Sequence, residues 1–129
     1  MKSRKRQPPV TLTALTVALL AVASCQPSAA GGPPEIVIDR TPCSHCGMLI
    51  SEPIYAAAYR VAGSEARVFD DIGCLREAAR RESQKDVRFW FHDASTGKWI
   101  DGEQAKFVTS PSVRTPMGSG TLAYRKGDS

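Results

Sequence analysis

Sulfur is the element with which this 129-residue chain could do chemistry. Cysteines stand at 25, 43, 46 and 74, and methionines at 1, 48 and 117. Cys43 and Cys46 form a CxxC pair within Cys43-Ser44-His45-Cys46-Gly47-Met48, Cys74 closes Phe69-Asp70-Asp71-Ile72-Gly73-Cys74, and Met117 sits in the loop sequence TPMGSG. The pair admits four chemistries. A thioredoxin-like dithiol opens a helix after a strand, whereas Gly47 and Pro53 follow this one. A closed zinc site needs four nitrogen or sulfur ligands, which Cys43, His45, Cys46 and Cys74 would supply. A structural disulfide suits an oxidising compartment. Cu(I) prefers thiolate and thioether sulfur, and of the four readings only this one uses the methionines. A methionine that fills a core gap normally packs among apolar neighbours in a helix or strand, and Met48 and Met117 instead stand beside Gly and Pro. The candidate metal ligands are Cys46, Met48 and Met117, then Cys43 and Cys74. His45 either ligates or orients water.

Cys74 has its own setting. If Asp70 or Asp71 caps a helix, Cys74 falls in its first turn, where the helix dipole favours a thiolate and the two carboxylates oppose it. Otherwise it is a small buried side chain. His92 ends an aromatic run and reads as structural or exposed. Trp90 and Trp99 read as packing residues, and Arg80-Arg81 as a solvated face.

The elements that must position these residues begin after an address. Residues 1–9 are basic and polar, and residues 10–23 (VTLTALTVALLAVA) carry no charge. A membrane-crossing helix needs about 20 apolar residues, so this run reads instead as the core of an export signal. Val22-Ala23-Ser24-Cys25 looks like the lipobox of bacterial lipoproteins. The expectation is a lipoprotein signal peptide over 1–24, cut before a lipidated Cys25, and a Pro/Gly/Ser-rich tether over 25–34 that keeps the body near a membrane. With Cys25 used by lipid, three thiols remain, an odd number for a disulfide scheme.

The body, residues 35–125, reads as one small α+β domain, followed by a tail over 126–129. Residues 35–40 (EIVIDR) read as a strand, 43–48 as a knuckle-like turn, and 55–61 with 66–69 as a hairpin. A helix runs from Ile72 to about Glu82, with Ile72, Leu75, Ala78 and Ala79 on one face. Strands follow over 87–91, 103–108 and 121–125, with a turn at 95–98 and a Pro/Gly/Ser/Thr-rich loop over 110–120. This pattern gives a small, mostly antiparallel sheet packed on one main helix. The formal charge of +4 comes from 17 basic against 13 acidic residues, and four of the basic ones lie in the first six positions. The body is therefore neutral, which argues against a nucleic-acid surface.

Taken together, residues 22–25, Cys43 to Met48 (CSHCGM), Phe69 to Cys74 (FDDIGC) and the TPMG stretch ending at Gly118 resemble the accessory lipoprotein family of nitrous oxide reductase biogenesis, the NosL family. The resemblance implies a periplasmic, lipid-anchored Cu(I)-binding metallochaperone, not an enzyme. It also implies an α+β body related in fold to the organomercurial lyase. Its partners would be nitrous oxide reductase, matured for denitrification, and a membrane transporter complex, with the chaperone a monomer or homodimer. Many members carry Met after the helix cysteine, where this chain has Leu75. Such a carrier needs no acid, base or nucleophile. Soft ligands on loops hold the ion until a partner's sulfur enters an open position, and glycines at 47, 118 and 120 would let those loops open. The alternative is a membrane-anchored thiol-disulfide oxidoreductase built on Cys43 and Cys46.

Overall fold

Turns decide where the strands of this chain pair. The computed structural model describes residues 31–82 and 86–127, so the expected signal peptide and Cys25 lie outside the described residues. Gly63, with φ of 78°, closes a hairpin between β1 (Ala57–Val61) and β2 (Arg67–Phe69). α1 (Ile72–Ala79) follows, then β3 (Val87–His92), which returns to pair antiparallel with β1. A turn whose backbone bonds converge on Asp93 leads into β4 (Trp99–Asp101), which pairs antiparallel with β3. The resulting sheet has the order β2-β1-β3-β4. β5 (Ala105–Thr109) and β6 (Thr121–Arg125) form a separate antiparallel hairpin around the 110–120 loop. That hairpin is joined to the end of β3 by a bridge between Asp93 and Ala123, and the Ala94 N–H donates to the Ala123 carbonyl at 2.8 Å. The α+β architecture expected from the sequence is the one observed.

β1 is central, so both its faces are covered, and Ala57, Ala58 and Tyr59 are all buried. Small residues there let neighbours approach from both sides. Tyr59 stacks on Phe69 with ring centroids 5.3 Å apart. α1 lies over β1 and β2 and buries Ile72, Leu75, Ala78 and Ala79, the face its 3.6-residue period specifies. Among the described residues the core extends from Cys43 to Ala123, within the span 26–129. No helix among the described residues is long and apolar enough to cross a membrane.

Several local expectations need correction. Residues 35–40 are not a strand. The N–H groups of Arg40 and Thr41 both fold back onto the Val37 carbonyl, at 3.1 and 2.9 Å, and the Val37 N–H donates to Thr41 Oγ1 at 2.9 Å. Asp39 takes φ of 58°, and Val37 and Ile38 stay exposed. Thr41 thus offers the backbone a turn in place of a ladder, which overrides the β-branched run. β4 went unforeseen because three residues between a turn and Gly102 show no period. β1 and β5 each begin two residues later than expected. Pro53 starts a 3₁₀ turn at Pro53–Tyr55, and Asp101 caps another at Gly102–Gln104 by accepting the Glu103 N–H at 3.1 Å. The helix likewise ends at Ala79, and its last turn tightens: Arg81 and Glu82 donate to the carbonyls three residues back.

Candidate metal centre

The CxxC segment is shaped by its own backbone. Cys43 donates its N–H to the Met48 carbonyl at 2.7 Å, and Gly47 donates back to the Cys43 carbonyl at 3.0 Å. Gly47 has φ of 78° with open space around it, so backbone conformation alone demands glycine there. Ser44 then docks this turn on β2. Its N–H donates to the Val68 carbonyl at 2.7 Å, its Oγ accepts from the Val68 N–H at 3.2 Å, and Arg67 donates to its carbonyl at 3.2 Å. Arg67 is itself fixed to Tyr59 and Glu82 at 2.7 and 3.0 Å.

The chain leaves β2 through Asp70 and enters α1 at Asp71. Asp71 is the N-cap, its Oδ1 accepting the Gly73 N–H at 2.6 Å. Cys74 therefore sits in the first helical turn, directly under the docked CxxC turn. The result is a cluster in which Cys43, Cys46 and Cys74 Sγ and a carboxylate oxygen of Asp70 all lie within 4.8 Å of one another. Around one ion with bonds of about 2.3 Å, tetrahedral ligand atoms stand about 3.8 Å apart, so closure from 4.8 Å takes small side-chain shifts. The four residues can hold a metal ion. Cys43 and Cys74 are buried, whereas Cys46 is half-buried and gives the cluster its opening.

Without an ion, the cluster favours protonated sulfur. Burial raises Cys74 well above its ordinary value of 9.0, and the neighbouring charges of Cys43, Asp70 and Cys46 act in the same direction. Burial also raises Cys43, against opposing backbone hydrogen bonds. The helix dipole thus loses to desolvation at Cys74. The Cys46 thiol points at both oxygens of Asp70, at 3.6 and 3.7 Å. No disulfide links the three described cysteines. Binding a soft cation would displace thiol protons, as metal–thiolate sites do.

Asp70 is the member that sequence reading missed. It was visible only as a rival helix cap to Asp71, and the cap fell to Asp71. Met48 directly follows the CxxC turn, and Met117 lies on the 115–119 loop that is bonded to Asp71. Met48 is 52% exposed and tied through its carbonyl to Cys43. Met117 is 47% exposed and donates its N–H to Asp71 Oδ2 at 2.9 Å. Thr115 Oγ1 donates to the same oxygen at 2.6 Å, so Asp71 binds the 115–119 loop to the start of α1. Burial works against charge on Asp71, but hydrogen bonds from Ser119, Thr115, Gly73 and Met117 outweigh it and hold the carboxyl below its usual range. Gly73 permits this approach, since a Cβ there would lie 2.9 Å from the Ser119 Cβ. His45 is exposed and outside the cluster. His92 is buried and stacks on Trp99 with centroids 3.9 Å apart. No protein-family model matches the chain, no curated protein matches it, and no solved structure matches its fold.

Proposed function

We propose that this chain is a lipid-anchored, extracytoplasmic Cu(I) carrier that passes its ion to a recipient by ligand exchange. The observation that carries the reading is the convergence of three thiols, drawn from two distant parts of the chain, with exposed methionines just after the CxxC turn and on the 115–119 loop. Three sulfurs suit a soft monovalent ion, and an opening at half-buried Cys46 lets it enter and leave. Met48 and Met117 offer thioether sulfur on the solvent side, where an arriving or departing ion is handled before or after the buried thiolates hold it. The Cys43 and Cys74 thiols would each release a proton to solvent as the ion binds. Delivery to nitrous oxide reductase through a membrane transporter complex, the periplasmic location and the Cys25 anchor all rest on the sequence resemblance.

Asp70 favours a second reading. A carboxylate with three thiolates also makes a closed, four-coordinate zinc site whose role is structural. The oxidoreductase reading draws less support, since a dithiol pair alone gives no account of the third thiol and the carboxylate gathered beside it.

Anaerobic titration of reduced residues 26–129 with Cu(I) against a competing chelator tests the proposal. One Cu(I) per chain, retained against the chelator and weakened in Cys46→Ser, is expected. Zinc retained through purification, with Cu(I) unable to displace it, overturns the carrier reading in favour of the structural one.

A further inference from the structure

Among the described residues, α1 covers β1 and β2 and leaves the adjoining part of the sheet open on the same side. Between α1, β3 and the start of β5 this forms a cleft of about 760 Å³, well within the size of small-ligand sites. Leu75, Ala79, Val87, Phe89, Phe91 and Phe107 supply its apolar surface. None of the metal-cluster residues lines it. Phe107 is 43% exposed and meets Phe91 edge-on at 4.8 Å, so the aromatic floor runs out to solvent.

Charge is distributed unevenly around the mouth. Arg76 and Arg80 stand one helical turn apart on the α1 wall. Arg80 pairs with Glu77 at 3.1 Å, at an exposed site where such pairs are weak. Arg76 has no carboxylate partner among the described residues. Its guanidinium lies over the Phe107 ring at 5.7 Å and donates to Thr121 Oγ1 at 3.5 Å. On the opposite wall Arg88 neutralises Asp101 at 2.9 Å, and Glu103 is left without an ion pair among the described residues. An anionic head is thus attracted to the helix wall and repelled from the other.

We propose that this cleft binds a free long-chain monocarboxylate, with its hydrocarbon tail along Phe89, Phe91 and Phe107 and its carboxylate against Arg76. Arg76 presents a fork that matches a carboxylate at the edge of an apolar surface. A cationic amphiphile of equal length would meet the unpaired guanidinium of Arg76 at the helix wall instead. The site is separate from the metal centre and does not depend on how that centre is used.

Calorimetric titration of residues 26–129 with dodecanoate, kept below its micelle concentration, tests the proposal. One dodecanoate per chain is expected, with decanoate about tenfold weaker because two fewer methylenes are buried. Arg76→Gln should weaken dodecanoate about tenfold while leaving dodecanol, the neutral molecule of the same tail, unchanged. Phe107→Asp should abolish both, with Cu(I) uptake and circular dichroism as in the parent. The proposal is overturned if dodecanoate shows no saturable uptake or if Arg76→Gln binds it as well as the parent does. It is equally overturned if sedimentation shows a dimer that Phe107→Asp separates and that takes up no dodecanoate, which would make the cleft an interface between two copies.

Discussion

Cys43 and Cys74 are buried, neutral and close, so each pulls its weight only when an ion replaces its proton. The methionines are a different case, because about half of each residue is exposed to solvent. Met48→Ala and Met117→Ala are each expected to lower Cu(I) affinity by about tenfold while leaving stability within about 0.5 kcal/mol, read by chelator competition and by urea unfolding. Unchanged affinity in both variants would remove the methionines from the site. His92 gives a separate, titratable signature. Burial holds its imidazole below the ordinary 6.5, outweighing backbone hydrogen bonding near Ala56 and Pro53 that acts the other way. Its neutral form is therefore favoured in the folded state, so its contribution is complete above pH 6.5 and is lost as pH falls below that value. Urea midpoints should drop from pH 7.5 to pH 5, and His92→Leu should flatten that part of the drop. The cysteines and methionines were legible as candidates from residue type and spacing alone. Asp70 was not, because a carboxylate beside a helix start looks like a cap until the register shows which aspartate does the capping.

At the scale of elements, the junction of β2 and α1 organises the site, and Asp71 is its keystone. One buried carboxylate starts the helix and anchors the 115–119 loop. Asp71→Asn places an amide donor among groups that are themselves donors, and should cost about 1–3 kcal/mol. Amide hydrogen exchange should accelerate at Met117 and Gly73 together, whereas loss of the cap alone would affect only Gly73. Gly73→Ala would place a Cβ 2.9 Å from the Ser119 Cβ and 3.0 Å from the capping Asp71 Oδ1, so it should loosen the loop and the cap together. The helix face and its aspartate cap could be read from the chain because both are local. Thr115 and Ser119 could not, since their partner lies more than 40 positions away and a Thr or Ser in a polar loop carries no mark of it. Residues 35–40 show the converse. Their β-branched pattern promised a strand, but a strand exists only with a neighbour to pair with, and Thr41 supplied a nearer partner.

For the molecule as a whole, a body of about 100 residues with a small helix leaves a modest margin of stability, so bound ligands should weigh heavily in it. At free Cu(I) one hundred times its dissociation constant, stabilisation should reach about 2.7 kcal/mol, visible as a melting temperature that rises with Cu(I) and falls back on chelation. A melting temperature indifferent to the ion would mean that it binds the unfolded chain equally well. The open cleft had no signal in the sequence, since Phe89, Phe91 and Phe107 read as ordinary strand residues until α1 proves too short and too far to one side to cover them. The docking of Ser44 on Val68 has a consequence for timing. Cys46 and Cys74 are 28 positions apart, and the third thiol joins the other two only after the β1–β2 hairpin has closed and the CxxC turn has seated upon it. A chain that has not made this contact should offer an ion the CxxC pair without the third thiol held beside it, so three-thiol capture is expected of the folded protein.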